Sequence, residues 1–219
     1  MCTELATTAD EECSLTVNIL YLNITSSLET KLLQDFISRL YPLNEKEWTA
    51  FSGIWAPVSC KRKTVLTAAG EVEKHLYFVI EGIQRAFYIG QDNQEATIVF
   101  TYPPSFSGVA DSFLTQTPTQ FFFETLTTSK FLRTSYQQVE GLMNQFPSIQ
   151  KMILKITSFA LKGVLARQAE LQCFNAEEKF KTLLHRSPHL LQLIPHKYLA
   201  SYLGIDPTTF SKLLGSVRL

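Results

Sequence analysis

The sequence predicts an α+β chain: an antiparallel β-roll or jelly roll, a long connecting helix, and a small all-α unit at the C-terminal end. Three observations carry this. Between Val58 and Ser135, short runs rich in β-branched and aromatic residues alternate with turn formers. From Ser148 to about Gln172 the apolar residues keep helical spacing. Residues 196–215 then place two short helical patterns on either side of a glycine.

In chain order, residues 1–27 read as an extension, acidic at Glu4, Asp10, Glu11 and Glu12, with an alternating stretch at Leu15–Leu22 that suits a short strand. Leu28 to Leu40 is helical by its spacing, and Pro42 stops it. Asn44, three residues before Glu47, forms a capping box for a second helix that puts Trp48, Phe51, Ile54 and Trp55 on one face; Pro57 ends it. His75–Ile80 and Ile83–Ile89, separated by Glu81-Gly82, read as a hairpin. Ala96–Phe100, Phe121–Leu126 and Lys130–Thr134 complete the strand series, and such regular short strands predict an antiparallel roll. Tyr136–Phe146 is a helix closed by Pro147.

The long helix from Ser148 carries Ile149, Met152, Ile156, Phe159, Gly163 and Ala166 in alternating three- and four-residue steps, a coiled-coil seam. A second stripe (Ile153, Ala160, Val164, Leu171) lies beside it. Two apolar surfaces on one helix predict packing on the β-roll with one and on an identical helix of a homodimer with the other. A further capping box, Asn175 with Glu178, opens the next helix, which Pro188 ends. The predicted units are therefore 1–27, 28–147 (β-roll with flanking helices), 148–172 (dimerisation helix) and 173–219.

Composition narrows the function classes. No apolar run approaches the length of a membrane span, and the acidic lead is unlike a secretory signal, so a cytoplasmic protein with no membrane contact is expected. Cys2, Cys13, Cys60 and Cys173 lack zinc or redox spacing and read as ordinary reduced thiols. Net charge is zero, but six Lys or Arg face only Asp206 from Lys179 onward, so that end is +5 and the remainder −5. Such polarity suits one end meeting a polyanion.

Residues 196–215, HKYLASYLGIDPTTFSKLLG, are the most informative. Pro195 suits a helix start, Gly204 a left-handed helix end, Asp206 an N-cap and Pro207 the first position of the next helix. Ala200 is small where two steeply crossing helices must touch; Leu199, Leu203, Ile205, Phe210 and Leu213 close a minicore. This is a helix-turn-helix, whose second helix offers its N-terminal residues to the DNA major groove. Double-stranded DNA is thus the expected partner. Thr208, Ser211 and Lys212 are the expected base or phosphate contacts, with His196 and Lys197 on the backbone and Asp206 as a cap. Six residues follow Leu213, an expectation of no further structure after the recognition helix.

The stretches HLYFVIEGIQRAFY (75–88) and PHKYLASYLGIDPTTFSKL (195–213) resemble the Crp/Fnr, catabolite-activator-like family, in a branch common in Bacteroidetes-type bacteria. The resemblance covers about Leu28 to Leu219. It implies a cyclic-nucleotide-binding-like roll, a dimerisation helix, a DNA-binding helix-turn-helix and a small-molecule effector. Members that bind cyclic AMP carry Gly-Glu and, some ten residues on, an Arg-Ser or Arg-Thr pair. Here Gly108 precedes Val109, and Thr119-Gln120 stand where the arginine belongs, so cyclic AMP is not expected as ligand. Gly108, Thr119, Gln120 and the strand-borne Arg85, which could meet an anion, are the effector-pocket candidates. Pro207 and Thr208 replace the family's base-reading Arg-Glu pair.

An enzyme is not expected. A metal-dependent barrel needs several converging ligands, and the β region holds only His75; Pro188 separates His185 from His189. No catalytic residue, metal site or named cofactor is predicted. The alternative reading is a sensor or protein-interaction module whose helix-turn-helix no longer binds DNA.

Overall fold

The computed structural model describes residues 27–216. The acidic lead, Cys2, Cys13, the Leu15–Leu22 stretch and Arg218 lie outside these residues.

Two helices lead in, α1 over residues 27–40 and α2 over Glu45–Ser52. The capping box of α2 forms as expected: Asn44 Oδ1 accepts from the Glu47 amide at 3.0 Å, and Glu47 Oε2 accepts from the Asn44 amide at 3.0 Å. Eight strands follow: β1 (Ala56–Cys60), β2 (Val65–Thr67), β3 (His75–Glu81), β4 (Gln84–Ile89), β5 (Glu95–Thr101), β6 (Ser105–Ser107), β7 (Phe122–Thr125) and β8 (Ser129–Ser135). A short helix, α3 (Ala110–Thr115), lies between β6 and β7. The strands form two antiparallel sheets, ordered β1-β8-β3-β6 and β2-β7-β4-β5.

The expected hairpin of β3 and β4 does not form; the two strands belong to different sheets. Tyr77, Phe78 and Val79 are all buried, Tyr77 and Val79 inside the roll and Phe78 under the helices. A strand buried on both faces is central, and β3 takes β8 and β6 as neighbours instead. Gly82 makes the crossing between sheets. Its φ is +94°, and a Cβ there would lie 2.5 Å from the Thr128 carbonyl oxygen. Strands β1, β2 and β6 escaped the sequence reading because they are only three to five residues long and rich in Pro, Ser and Thr.

The helical remainder is α4 (Tyr136–Gln145), α5 (Pro147–Cys173), α6 (Ala176–Arg186), α7 (Leu190–Leu193), α8 (His196–Leu203) and α9 (Pro207–Ser216). Pro147 occupies the first turn of α5, so it starts that helix as well as following α4. With 27 residues, α5 runs for about 40 Å. Its first turns bury Ile149, Met152 and Ile153 against α1, α4 and the β1-β8-β3-β6 sheet.

That burial corrects the predicted dimer seam. Ile149 and Met152 are fully buried within their own chain and have no surface to offer a partner. Ile156 is partly buried at the edge of the same core, whereas Phe159 and Gly163 are exposed. A periodic stripe cannot itself report that its first half faces inward and its second half outward.

One core was not foreseen. Phe100 of β5, with Ile83 just before β4 and Leu126 just after β7, shares a continuous apolar cluster with Phe180, Leu183, Leu184, Leu199, Leu203 and Phe210 of the C-terminal helices. The C-terminal unit is therefore docked on the roll.

Candidate nucleic-acid interface

Helix α8 has two working faces. Leu199, Ala200 and Leu203 point into the minicore, all almost fully buried. Gly204 ends the helix at φ +62°, as its position in the motif requires. Asp206 Oδ1 then accepts from the Thr208 amide at 2.7 Å and from the Thr208 hydroxyl at 2.5 Å, which caps α9. Those hydrogen bonds hold the Asp206 carboxyl below the usual carboxylate range. Phe210, wholly buried, meets Phe180 of α6 edge-on at 5.3 Å and the His196 ring at 5.3 Å. Pro195 precedes α8 as its N-cap, one residue earlier than expected, and supplies no side-chain acceptor to the first amides.

The residues expected to meet DNA all reach the surface of this unit: His196, Lys197, Thr208, Ser211 and Lys212 are exposed. The Thr208 hydroxyl donates to Asp206, and the Ser211 hydroxyl donates to the Pro207 carbonyl oxygen at 3.0 Å. Both oxygens keep acceptor capacity outward. Lys212 makes no ion pair among the described residues and is exposed near the middle of α9.

The opposite face of α8 is Tyr198, Ser201 and Tyr202, and it grips the roll. β5 is an edge strand whose free backbone groups need covering. The Ser201 hydroxyl donates to the Glu95 carbonyl oxygen at 2.9 Å and accepts from the Thr97 amide at 2.9 Å. Tyr202 packs on Phe100 at 5.1 Å. The Tyr198 ring lies 3.8 Å from the Arg85 guanidinium, whose other side meets Phe87 at 3.9 Å. Arg85 is only 2% exposed; it donates to Glu124 at 2.6 Å, Glu95 at 2.8 Å and Thr97 at 3.2 Å.

The far end of α8 is held by α5. Arg167 donates to the Tyr202 carbonyl oxygen and to Glu170 at 2.9 Å, and Glu170 in turn accepts from Arg186 of α6. Burial raises the Glu170 carboxyl, but the hydrogen bonds and charges of Arg186 and Arg167 together outweigh it and hold the group below its ordinary value. A depressed carboxylate stabilises the fold above its unfolded value of 4.5, and that stabilisation is lost as pH falls through the folded value. Glu170→Gln is therefore expected to unfold at lower urea than wild type at neutral pH. The gap should narrow as pH drops below 4.5 in paired denaturation curves.

The effector-pocket candidates do not converge. Arg85 points away from the roll's interior and is engaged by two carboxylates and two rings, so it offers no free charge to a ligand. Thr119 is buried as a loop strut: its amide donates to the Glu71 carbonyl oxygen at 2.8 Å, and its hydroxyl accepts from the Phe121 amide at 3.0 Å. Gln120 is exposed. Only Gly108 borders a cavity, of about 120 Å³, between β3, β6, α3 and α5, with His75, Phe113, Ile153 and Ile156 also on its wall. Burial lowers the His75 pKa, and the Arg133 and Lys74 charges add to that lowering.

Beside Gly108 stands an acid that the sequence reading passed over. Glu73 is 1% exposed and accepts from the Thr67 hydroxyl at 2.6 Å, the His75 amide at 3.1 Å and the Val109 amide at 3.4 Å. Burial raises its pKa despite these donors. The roll's interior is otherwise packed, with Tyr77 set 5.8 Å from Phe123 and 5.2 Å from Phe131. Among the described residues, no cluster of His, Cys, Asp or Glu could hold a metal ion, and no helix is long and apolar enough to cross a membrane.

Comparison with known proteins matches residues 57–146 to the cyclic nucleotide-binding domain. The anaerobic regulatory protein of Haemophilus influenzae is 24% identical over 187 residues, covering 80% of this chain and 72% of that protein. Among solved structures, FixK2 of Bradyrhizobium japonicum superposes with a TM-score of 0.67 at 15% identity, covering 74% of this chain and 83% of that one. A transcriptional regulator of the Crp/Fnr family from Eubacterium rectale gives 0.64 at 13% identity, covering 79% and 82%. Roll, long helix and C-terminal helix-turn-helix occur here in one chain, and its fold is similar to that of these solved Crp/Fnr-type structures.

Proposed function

We propose that the chain is a dimeric DNA-binding transcription regulator and not an enzyme. The observation that carries this is the helix-turn-helix itself: a sealed minicore presents Thr208, Ser211 and Lys212 outward from α9. On this reading residues 28–147 form the sensor, 148–172 the dimer helix and 173–219 the DNA-binding unit. The second half of α5 supports the homodimer, since Leu154, Phe159, Leu161, Val164 and Leu165 are each at least half exposed. A run of bare apolar side chains on one helix matches the seam of a two-helix interface.

The effector is a small molecule other than cyclic AMP. An anion beside Gly108 would meet the Glu73 carboxyl rather than an arginine, and the cavity there is well below the roughly 300–1,000 Å³ of ordinary ligand sites. An uncharged or apolar ligand fits its lining better.

Fluorescence anisotropy on a labelled duplex across a salt titration tests the DNA reading. Binding should weaken linearly in log K against log salt, and Lys212→Ala should reduce the slope by about 1. Absence of binding at low salt would leave only an interaction module. In sedimentation at micromolar concentration the mass should be near twice 24.9 kDa, and a sharp monomer would contradict the dimer.

A further inference from the structure

We propose that the acidic lead of the chain, with Glu4, Asp10, Glu11 and Glu12, docks within its own chain on the basic loop between β1 and β2, Lys61-Arg62-Lys63. The contact goes beyond the regulator reading and holds whether or not the helix-turn-helix binds DNA.

The receiving surface is fixed, and its charge is uncompensated among the described residues. Lys61, Arg62 and Lys63 are all exposed, and none makes an ion pair there. Acids on neighbouring strands are committed elsewhere: Glu124 pairs with Arg85 at 2.6 Å, and Glu81 with Lys130 at 2.7 Å. Hydrogen bonds tie the loop to the sheet. The Lys63 amide donates to the Thr125 carbonyl oxygen at 2.7 Å, and the Thr64 amide donates to the Thr125 hydroxyl at 2.9 Å. The Thr125 and Thr64 hydroxyls both donate to the Lys61 carbonyl oxygen, at 2.6 and 2.8 Å.

Charge, and the place where it joins the fold, identify the occupant. Residues 1–26 hold four acids and no Lys or Arg, and they meet the described chain at the start of α1. That helix lies on the β1-β8-β3-β6 sheet, where Leu33 and Ile37 share a core with Phe78 and Leu132. Its first turn sits at the end of the sheet nearest the loop: burial raises the Glu29 carboxyl, and the Lys130 charge offsets part of that rise. Lys130 lies in register with Ser59, two residues before Lys61. Glu12 is fifteen residues ahead of Ser27, a reach of up to about 50 Å when extended, so the acids can meet the loop with chain to spare.

Single exposed ion pairs are weak. Four carboxylates on one tether facing three fixed cations act together, at an effective concentration that a free anion does not reach. The lead therefore covers the loop at low salt and leaves it as salt screens the charges.

The test is carbodiimide coupling of the full-length chain, which joins a carboxylate to a lysine amine where the two touch, read by mass spectrometry of the digest. An equal mixture of isotope-labelled and unlabelled chain separates links within one chain from links between chains. Links from Asp10, Glu11 or Glu12 to Lys61 or Lys63 should exceed those to the exposed Lys151 and Lys155 of α5 by about tenfold. At about 1 M salt, where charges act only within about 3 Å, that excess should vanish, while Glu81 and Lys130, held by the sheet, still couple. A second arm follows acetylation of Lys61 and Lys63 in the combined variant Glu4→Gln, Asp10→Asn, Glu11→Gln, Glu12→Gln. Because each pair is weak, the rate should rise about twofold over wild type, with Lys151 and Lys155 unchanged. Links between labelled and unlabelled chains would put the lead on a second copy and overturn the contact within one chain. Equal links to all these lysines, or unchanged acetylation, would overturn the docking altogether. Neither result bears on DNA binding, which the salt titration tests separately.

Discussion

Replacing Phe210 by alanine is expected to destabilise the chain by about 3–5 kcal/mol, the cost of emptying a fully buried aromatic site. That is a large part of the roughly 5–15 kcal/mol that holds a domain folded. Phe210 is the only side chain of α9 buried completely, and it keys that helix to Phe180 of α6 and His196 of α8. Without it the minicore of Leu199, Ala200 and Leu203 loses its lid, and the recognition helix loses its fixed angle to α8. DNA affinity should therefore fall by at least tenfold even where the variant remains folded. Because the same apolar cluster includes Ile83, Phe100 and Leu126 of the roll, the loss should lower the unfolding midpoint of the whole chain. Urea denaturation followed by circular dichroism measures this. A loss of unfolding free energy under about 1 kcal/mol would mean that α9 is not anchored through Phe210.

The second large effect is expected at Arg85. Arg85→Met keeps the length of the side chain but leaves Glu124, nearly buried, facing Glu95 with no cation between them. Breaking a buried pair from one side costs about 3–5 kcal/mol, and Glu95, nearly half exposed, can turn to solvent, so the lower end applies. The same change removes the planar cation between Phe87 and Tyr198, through which α8 rests on β4. Amide hydrogen exchange across His196–Leu203 should accelerate, while β3 and β8, on the other sheet, keep their protection. Adding Glu124→Gln should recover part of the stability, because the unpaired buried charge is then gone. If Arg85→Met leaves exchange in α8 unchanged, the contact between roll and helix-turn-helix does not depend on this residue.

Much of the architecture is legible in the sequence for identifiable reasons. Both capping boxes, at Asn44 with Glu47 and at Asn175 with Glu178, form as written, because their hydrogen bonds are local and need no tertiary partner. The helix-turn-helix is legible because Ala200, Gly204, Asp206 and Pro207 each answer a backbone or contact requirement at a fixed spacing. What could not be read is whatever depends on sheets and faces meeting in space. The short strands β1, β2 and β6 acquire their structure from β8, β7 and β3. Arg85 looked available to a ligand because nothing in one strand announces that a tyrosine from residue 198 will cover it. A signal existed: Tyr198, Ser201 and Tyr202 form a polar-aromatic stripe on α8 opposite the minicore, too apolar for a helix surrounded by water. The same limit applied to α5, where one periodic stripe serves the chain's own core at Ile149 and Met152 and runs on to exposed positions at Phe159 and Gly163.

The central claim, a dimer that docks two helix-turn-helix units on duplex DNA, is tested most directly by selecting binding sites from a pool of random duplexes. Two identical recognition helices predict enrichment of an inverted repeat with half-sites one turn, about 10 bp, apart. Recovery of a single unrepeated site, or no enrichment above the starting pool, would contradict it.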